Sequence, residues 1–207
     1  MKYDSLIFDL DGTLWDATPT VAMGWTNGLK DCGENIEVKA DILKQVVGKP
    51  FKECLEYIFP NITIKYPKVM ELIDYHTKNG LELTGGILYD FLIEGIKKLS
   101  NHYKLYIVSN CEDWYLDIFF RLSGLKEHFL DYDCYGLSKK DKSEMLINIV
   151  NKNTLKSPIY IGDTEGDMKS AENAQVPFCF ASYGFGKVSK YSYKINSFKE
   201  LVSLLTD

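Results

Sequence analysis

Leu6-Ile7-Phe8-Asp9-Leu10-Asp11-Gly12-Thr13-Leu14 is the stretch on which the architecture turns. Three apolar residues lead into Asp9 without polar alternation, the pattern of a strand covered on both faces, as in a parallel sheet. Such a strand delivers Asp9 to the carboxyl edge of the sheet, where open α/β folds bind their ligands. Asp11 lies two residues further, and Gly12 permits the turn that brings both carboxylates to one pocket. Alone, the same residues also describe a capping aspartate followed by an ordinary Asp-Gly turn.

Further along the chain, Tyr103 to Val108, Pro158 to Ile161 and Phe178 to Ala181 are short apolar runs of the same kind as Tyr3 to Phe8. Between them lie amphipathic stretches at helical spacing: Ile93, Ile96 and Leu99; Leu116, Phe119, Phe120 and Leu122; Met145, Leu146, Ile149 and Val150. Strands alternating with helices predict an α/β fold, a Rossmann-like parallel sheet with helices on both faces. Residues 16–83 break the rhythm with four helical stripes and no convincing strand. Thr18-Pro19 opens the first as an N-cap and first-turn pair, Gly48 stops the second, Pro50 opens the third, and Pro67 opens the fourth, which Gly80 ends. The expectation is an all-helical cap over residues 16–83, inserted into a core formed by residues 1–15 and 84–207.

A second acidic cluster, Gly162-Asp163-Thr164-Glu165-Gly166-Asp167, follows the Pro158 strand. By itself Asp163 reads equally well as a helix cap with acidic residues behind it. Beside Asp9 and Asp11 the reading changes. Four carboxylates converging on one sheet edge repel one another unless a cation sits among them, and oxygen-only ligands with room for water suit Mg²⁺. His76, His102 and His128 are scattered, so a histidine zinc site is not expected. Ser109-Asn110 ends the Tyr103 strand, where a hydroxyl and backbone N–H groups can hold an anionic oxygen; a helix cap is the plainer alternative. Lys139, Lys140 and Lys142 precede the Met145 helix, and one of them reaching the acidic edge would neutralise carboxylate and phosphate together.

The composition is that of an ordinary soluble globular protein and excludes other classes. The 207 residues carry 24 Lys plus Arg against 29 Asp plus Glu, a net charge of −5, with 45% hydrophobic residues. That acidity argues against nucleic-acid binding, which needs clustered basic charge. No apolar run is long enough to span a membrane, and Asp4 and Asp9 interrupt the first ten residues, so no signal peptide is expected there. The five cysteines (Cys32, Cys54, Cys111, Cys134 and Cys179) are odd in number and widely spread, which points to a reducing, cytoplasmic compartment.

Taken in order, each at a strand end, these four elements resemble the haloacid dehalogenase-like phosphohydrolase superfamily. The helical insert after the first motif is similar to the cap of its phosphoglycolate phosphatase and β-phosphoglucomutase branch. The resemblance implies a Mg²⁺-dependent phosphatase of a small phosphorylated metabolite. Asp9 would be the nucleophile, forming an aspartyl-phosphate, and Asp11 the general acid and base. Ser109 would bind phosphoryl oxygens, with Gly12, Thr13 and Asn110 on the substrate side. Asp9, the main-chain carbonyl of Asp11, and Asp163 would ligate Mg²⁺, and Asp167 would join through water. Lys142 is the lysine of choice, because a helix starts with the residues right after it. A phosphomutase using the same groups, or a metabolite-binding protein keeping only the fold, are the alternatives.

The cap would supply specificity. Gly48-Lys49-Pro50-Phe51-Lys52 is a basic loop between two cap helices, from which Lys49 could meet the distal end of a substrate; an exposed helix break is the equal alternative. Trp15 and Trp25 read as packing residues rather than stacking platforms. Gly85-Gly86 falls where the chain returns to the core, at a place suited to a hinge. Oligomeric state has no signature in the sequence.

Overall fold

All four residues of β1 (Ser5–Phe8) are buried, and the strand has a parallel partner on each side, so no face is left for polar alternation. The computed structural model describes residues 3–206; residues 1, 2 and 207 lie outside the described residues. After β1 the chain runs through β2 (Trp15–Asp16), α1 (Thr18–Asp31), α2 (Ala40–Leu43), α3 (Phe51–Ile58), α4 (Ile62–Lys65) and α5 (Val69–Thr84). It continues through β3 (Ile87–Leu88), α6 (Leu92–Ser100), β4 (Lys104–Ser109), α7 (Asp113–Ser123), a 3-10 turn, β5 (Phe129–Cys134) and α8 (Tyr135–Ser138). The last elements are α9 (Lys142–Lys152), β6 (Pro158–Gly162), α10 (Glu165–Asn173), β7 (Phe178–Ala181), β8 (Tyr193–Ile195) and α11 (Phe198–Thr206).

Six strands form one parallel sheet in the order β5-β4-β1-β6-β7-β8. Successive residues point to opposite faces, and both faces are covered. Leu6, Phe8, Leu105, Ile107 and Ile161 pack on one side, while Ile7, Tyr106, Val108 and Tyr160 pack on the other. That double burial is why the strands read as continuous apolar runs. The sheet order places β4 and β6 on either side of β1, so the residues following these three strands meet at one carboxyl edge.

The helices of residues 16–83 have an apolar cluster of their own, including Trp25, Leu29, Leu55 and Ile73. Its spine is the α1–α5 pair. A side chain at Gly24 would come within 2.6 Å of the Thr77 Cα, and one at Gly28 would come equally near the Ile73 Cα. The two glycines therefore let the helix backbones touch.

Several local expectations are corrected. The insert holds five helices rather than four, because Ile62–Lys65 forms a turn of its own. Gly80 does not end the last of them; α5 continues to Thr84, where Gly85 at φ 67° stops it, and Leu81 is packed in the main core. Thr18 does not cap α1 with its hydroxyl. Instead the Asp16 carboxylate accepts both the Thr18 N–H at 2.9 Å and its hydroxyl at 2.6 Å. A small antiparallel pair, β2 with β3, joins the two crossings between insert and core, and Gly86 lies against the Trp15 ring there. Two edge strands, β5 and β8, were not anticipated. β5 alternates apolar and acidic residues, and Asp131 within it pairs with Lys152 at 2.9 Å.

Candidate active site

The site is assembled from loops at the ends of three neighbouring strands. Leaving β1, Asp9 keeps a sheet hydrogen bond (its N–H to the Ile161 carbonyl, 2.9 Å), and its side chain is 1% exposed. The chain then folds over the Leu10 carbonyl, which accepts the N–H groups of Thr13 and Leu14, and Gly12 takes φ 79°. Gly12 is held there for two reasons: the backbone angle, and an Asp163 oxygen that would lie 2.2 Å from an added Cβ. Gly12→Ala is expected to lower the free energy of unfolding by more than about 1 kcal/mol in a urea titration. A wild-type midpoint for that variant would contradict this tight approach.

Leaving β6, Asp163 is fully buried, with an oxygen accepting the Phe185 N–H at 2.7 Å and another near the Thr13 hydroxyl at 3.4 Å. Thr164 caps α10 and Asp167 completes the capping box, accepting the Thr164 N–H at 2.9 Å and its hydroxyl at 2.7 Å. Capping and acid chemistry are thus combined in one turn. The remaining Asp167 oxygen faces inward, where it accepts from Lys142 at 2.6 Å and from the Tyr160 hydroxyl at 3.2 Å.

Lys142, the first residue of α9, is 4% exposed and also donates to Asp9 at 2.9 Å. Lys139 instead pairs with Glu112 at 3.2 Å near the surface. Burial opposes the charge on Lys142, but the Asp167 and Asp9 carboxylates outweigh it and hold the ammonium above its ordinary range. Burial raises Asp9 to about 6 even with Lys142 opposing it. Asp163 is pushed well up by burial and then by the Asp167 and Asp9 charges, whereas Lys142 and the Thr164 donors bring Asp167 below its usual value despite burial.

Ligand oxygens of Asp9, Asp163 and Asp167 lie within 4.8 Å of one another. Three buried carboxyl groups share a single ammonium, a deficit of two positive charges when all three are ionised. An all-oxygen donor set with that deficit fits a small divalent cation such as Mg²⁺. Asp167 already accepts several hydrogen bonds on both oxygens, so it is the least free of the three to bind a cation directly.

In front of Asp9, between the sheet edge and the helices of residues 16–83, is a cavity of about 120 Å³. Asp9, Asp11, Ser109, Asn110 and Lys49 all border it. Asp11 is half-buried and accepts the Tyr115 hydroxyl at 2.5 Å; burial, with the Asp9 charge adding to it and Tyr115 opposing, raises its carboxyl to about 7. Ser109 is the last residue of β4 and is buried. The Asn110 amide donates to the Gly48 carbonyl at 2.7 Å, tying the strand end to the loop between α2 and α3. Lys49 is exposed, with its ammonium over the Tyr57 ring at 4.7 Å. Gly12 and Thr13 stand behind Asp163 rather than on the cavity wall.

Tyr115, Tyr160 and Phe185 are site residues that sequence reading missed. Two tyrosines beside apolar residues look like core; the Tyr115 hydroxyl finds Asp11, 104 residues away, and the Tyr160 hydroxyl meets Asp167 across the turn from β6 into α10. Phe185 acts through its backbone N–H, which no side-chain pattern reveals.

A family model described as haloacid dehalogenase-like hydrolase matches residues 6–181. A phosphoglycolate phosphatase of Aquifex aeolicus is 26% identical over 215 residues, covering 97% of this chain and 95% of that one. Among solved structures, a haloacid dehalogenase-like family hydrolase from Streptococcus pneumoniae superposes with a TM-score of 0.87 at 20% identity, covering 99% of both chains. A predicted phosphoglycolate phosphatase from Haemophilus somnus does so with a TM-score of 0.85 at 16% identity, covering 99% of this chain and 98% of its own. At these identities the two structures speak for the fold alone.

Proposed function

The chain belongs to the haloacid dehalogenase-like hydrolase family, and from that membership we propose that it is a Mg²⁺-dependent phosphatase of a small phosphorylated metabolite, working through an aspartyl-phosphate on Asp9. The observation that carries this reading is the buried Asp9 carboxylate at the cavity wall, 2.9 Å from Lys142 and beside a second carboxylate, Asp11. The relative named phosphoglycolate phosphatase supports the reaction class. In this reading residues 16–83 act as a cap over a core of residues 1–15 and 84–207. The free cysteines suit a cytoplasmic setting.

Mg²⁺ would be held by Asp9, Asp163 and the Asp11 main-chain carbonyl, with Asp167 through water, and would screen the charge of the phosphoryl group. The protein's own residues do the rest. An Asp9 oxygen attacks phosphorus as the ester P–O bond breaks, and Asp11 gives its proton to the departing alcohol oxygen. The Tyr115 hydroxyl, donating to Asp11, fixes the direction of that carboxyl group. Asp11 then takes a proton from the water that attacks the aspartyl-phosphate, releasing inorganic phosphate and restoring Asp9. Lys142 lowers the repulsion between carboxylate and phosphate, and Ser109 and Asn110 steady the phosphoryl oxygens at the end of β4.

Phosphate release from 4-nitrophenyl phosphate is expected in Mg²⁺ buffer, to fall to background after chelation, and to return when Mg²⁺ is restored. Unchanged turnover in excess chelator would overturn the metal dependence.

A further inference from the structure

Resting on the phosphatase reading above, we infer that the alcohol portion of the substrate is apolar and carries no anionic group, so that a carboxylate-bearing ester such as 2-phosphoglycolate is disfavoured. The cavity beyond Asp9 and Asp11 carries this inference. Most of its cap side is apolar, formed by Val21, Trp25, Leu43, Val46, Phe51 and Ile73, with Thr18 and Thr77 as neutral polar residues among them. Beyond Asp9 and Asp11 two further carboxylates line it, Asp74 and Glu112, the latter paired with Lys139 at 3.2 Å.

A negatively charged leaving group needs a cationic partner once it is desolvated. Among the described residues bordering the cavity the single cationic side chain is Lys49, and its ammonium stands over Tyr57, itself 67% exposed, at the outer surface. The other nearby ammonium groups are engaged elsewhere. Lys142 lies beneath Asp9 and Asp167, Lys44 pairs with Asp16 at 3.1 Å, and Lys139 pairs with Glu112. Lys78 sits over the Trp114 ring at 5.9 Å, and the indole N–H of Trp114 is given to Asp74. A carboxylate entering here would meet hydrocarbon and like charge. A short alkyl chain would meet the surface that the cap presents.

The test compares n-butyl phosphate with 2-phosphoglycolate, two esters that both leave as primary alcohols. With Mg²⁺ and wild-type protein, kcat/KM is expected to favour the butyl ester about tenfold or more, as removal of hydrocarbon contacts in an apolar pocket implies. Replacing half-buried Val47, also on the wall, in Val47→Lys should narrow that ratio. Equal or better turnover of 2-phosphoglycolate by wild-type protein overturns the inference and leaves the phosphatase reading standing. If neither ester nor 4-nitrophenyl phosphate is hydrolysed, it is the phosphatase reading that falls. Calorimetric binding of both esters to Asp9→Asn then reads the cavity by itself: tighter binding of the butyl ester upholds the inference, and equal or tighter binding of 2-phosphoglycolate defeats it.

Discussion

Asp9→Asn is expected to reduce phosphate release by a factor of at least about 10⁴, the scale on which loss of a covalent nucleophile acts. The substitution keeps shape and volume in a site only 1% exposed, and it removes one of the three mutually repelling carboxylates. An amide oxygen can still accept from Lys142, which also retains Asp167 at 2.6 Å. Activity should therefore vanish while the thermal midpoint stays near the parental value or rises. Single-turnover measurement with a chromogenic aryl phosphate separates the outcomes: turnover within tenfold of wild type would remove Asp9 from its proposed role, whereas a collapsed midpoint would show that its charge is structural.

Lys142→Met should act in the opposite way, on stability as much as on rate. Methionine fills a similar volume, but three buried carboxylates then face one another without an ammonium. Removing one member of a buried ion cluster typically costs about 3–5 kcal/mol, which for a chain of this size lowers the midpoint by roughly 6–20 °C. Added Mg²⁺ should recover part of that loss, because a cation bound to the native state alone stabilises it. Differential scanning calorimetry with and without the metal reads both effects. A midpoint equal to wild type in chelator would mean that the acidic cluster does not depend on Lys142 for its stability.

Much of this architecture was legible because one physical circumstance governs both the strands and the chemistry. A central strand of a doubly covered sheet must be apolar throughout, so Asp9 and Asp163 stand out as the first polar residues after β1 and β6. The edge strands were not legible for the converse reason. β5 is partly solvated and reads as Phe-Leu-Asp-Tyr-Asp-Cys, and β8 has three residues. Within residues 16–83, Gly80 reads as a terminator, yet close packing along α1 carries the helix past it to Thr84. The choice among Lys139, Lys140 and Lys142 could not be made from spacing alone. Position on α9 makes it: Lys142 opens the helix with its side chain 3% exposed, while the Lys139 side chain is 60% exposed. Contacts across the chain, such as Tyr115 to Asp11 over a separation of 104 residues, have no local signature at all.

The Asn110 amide at the end of β4 spends its N–H on a carbonyl of the α2–α3 loop. Whenever that loop swings away, the amide loses its protein acceptor and must turn to water at the very spot where a phosphoryl group would be bound. On the proposed function, hydration of the pocket and departure of its roof would be the same molecular event, and product would leave a site that is already wet.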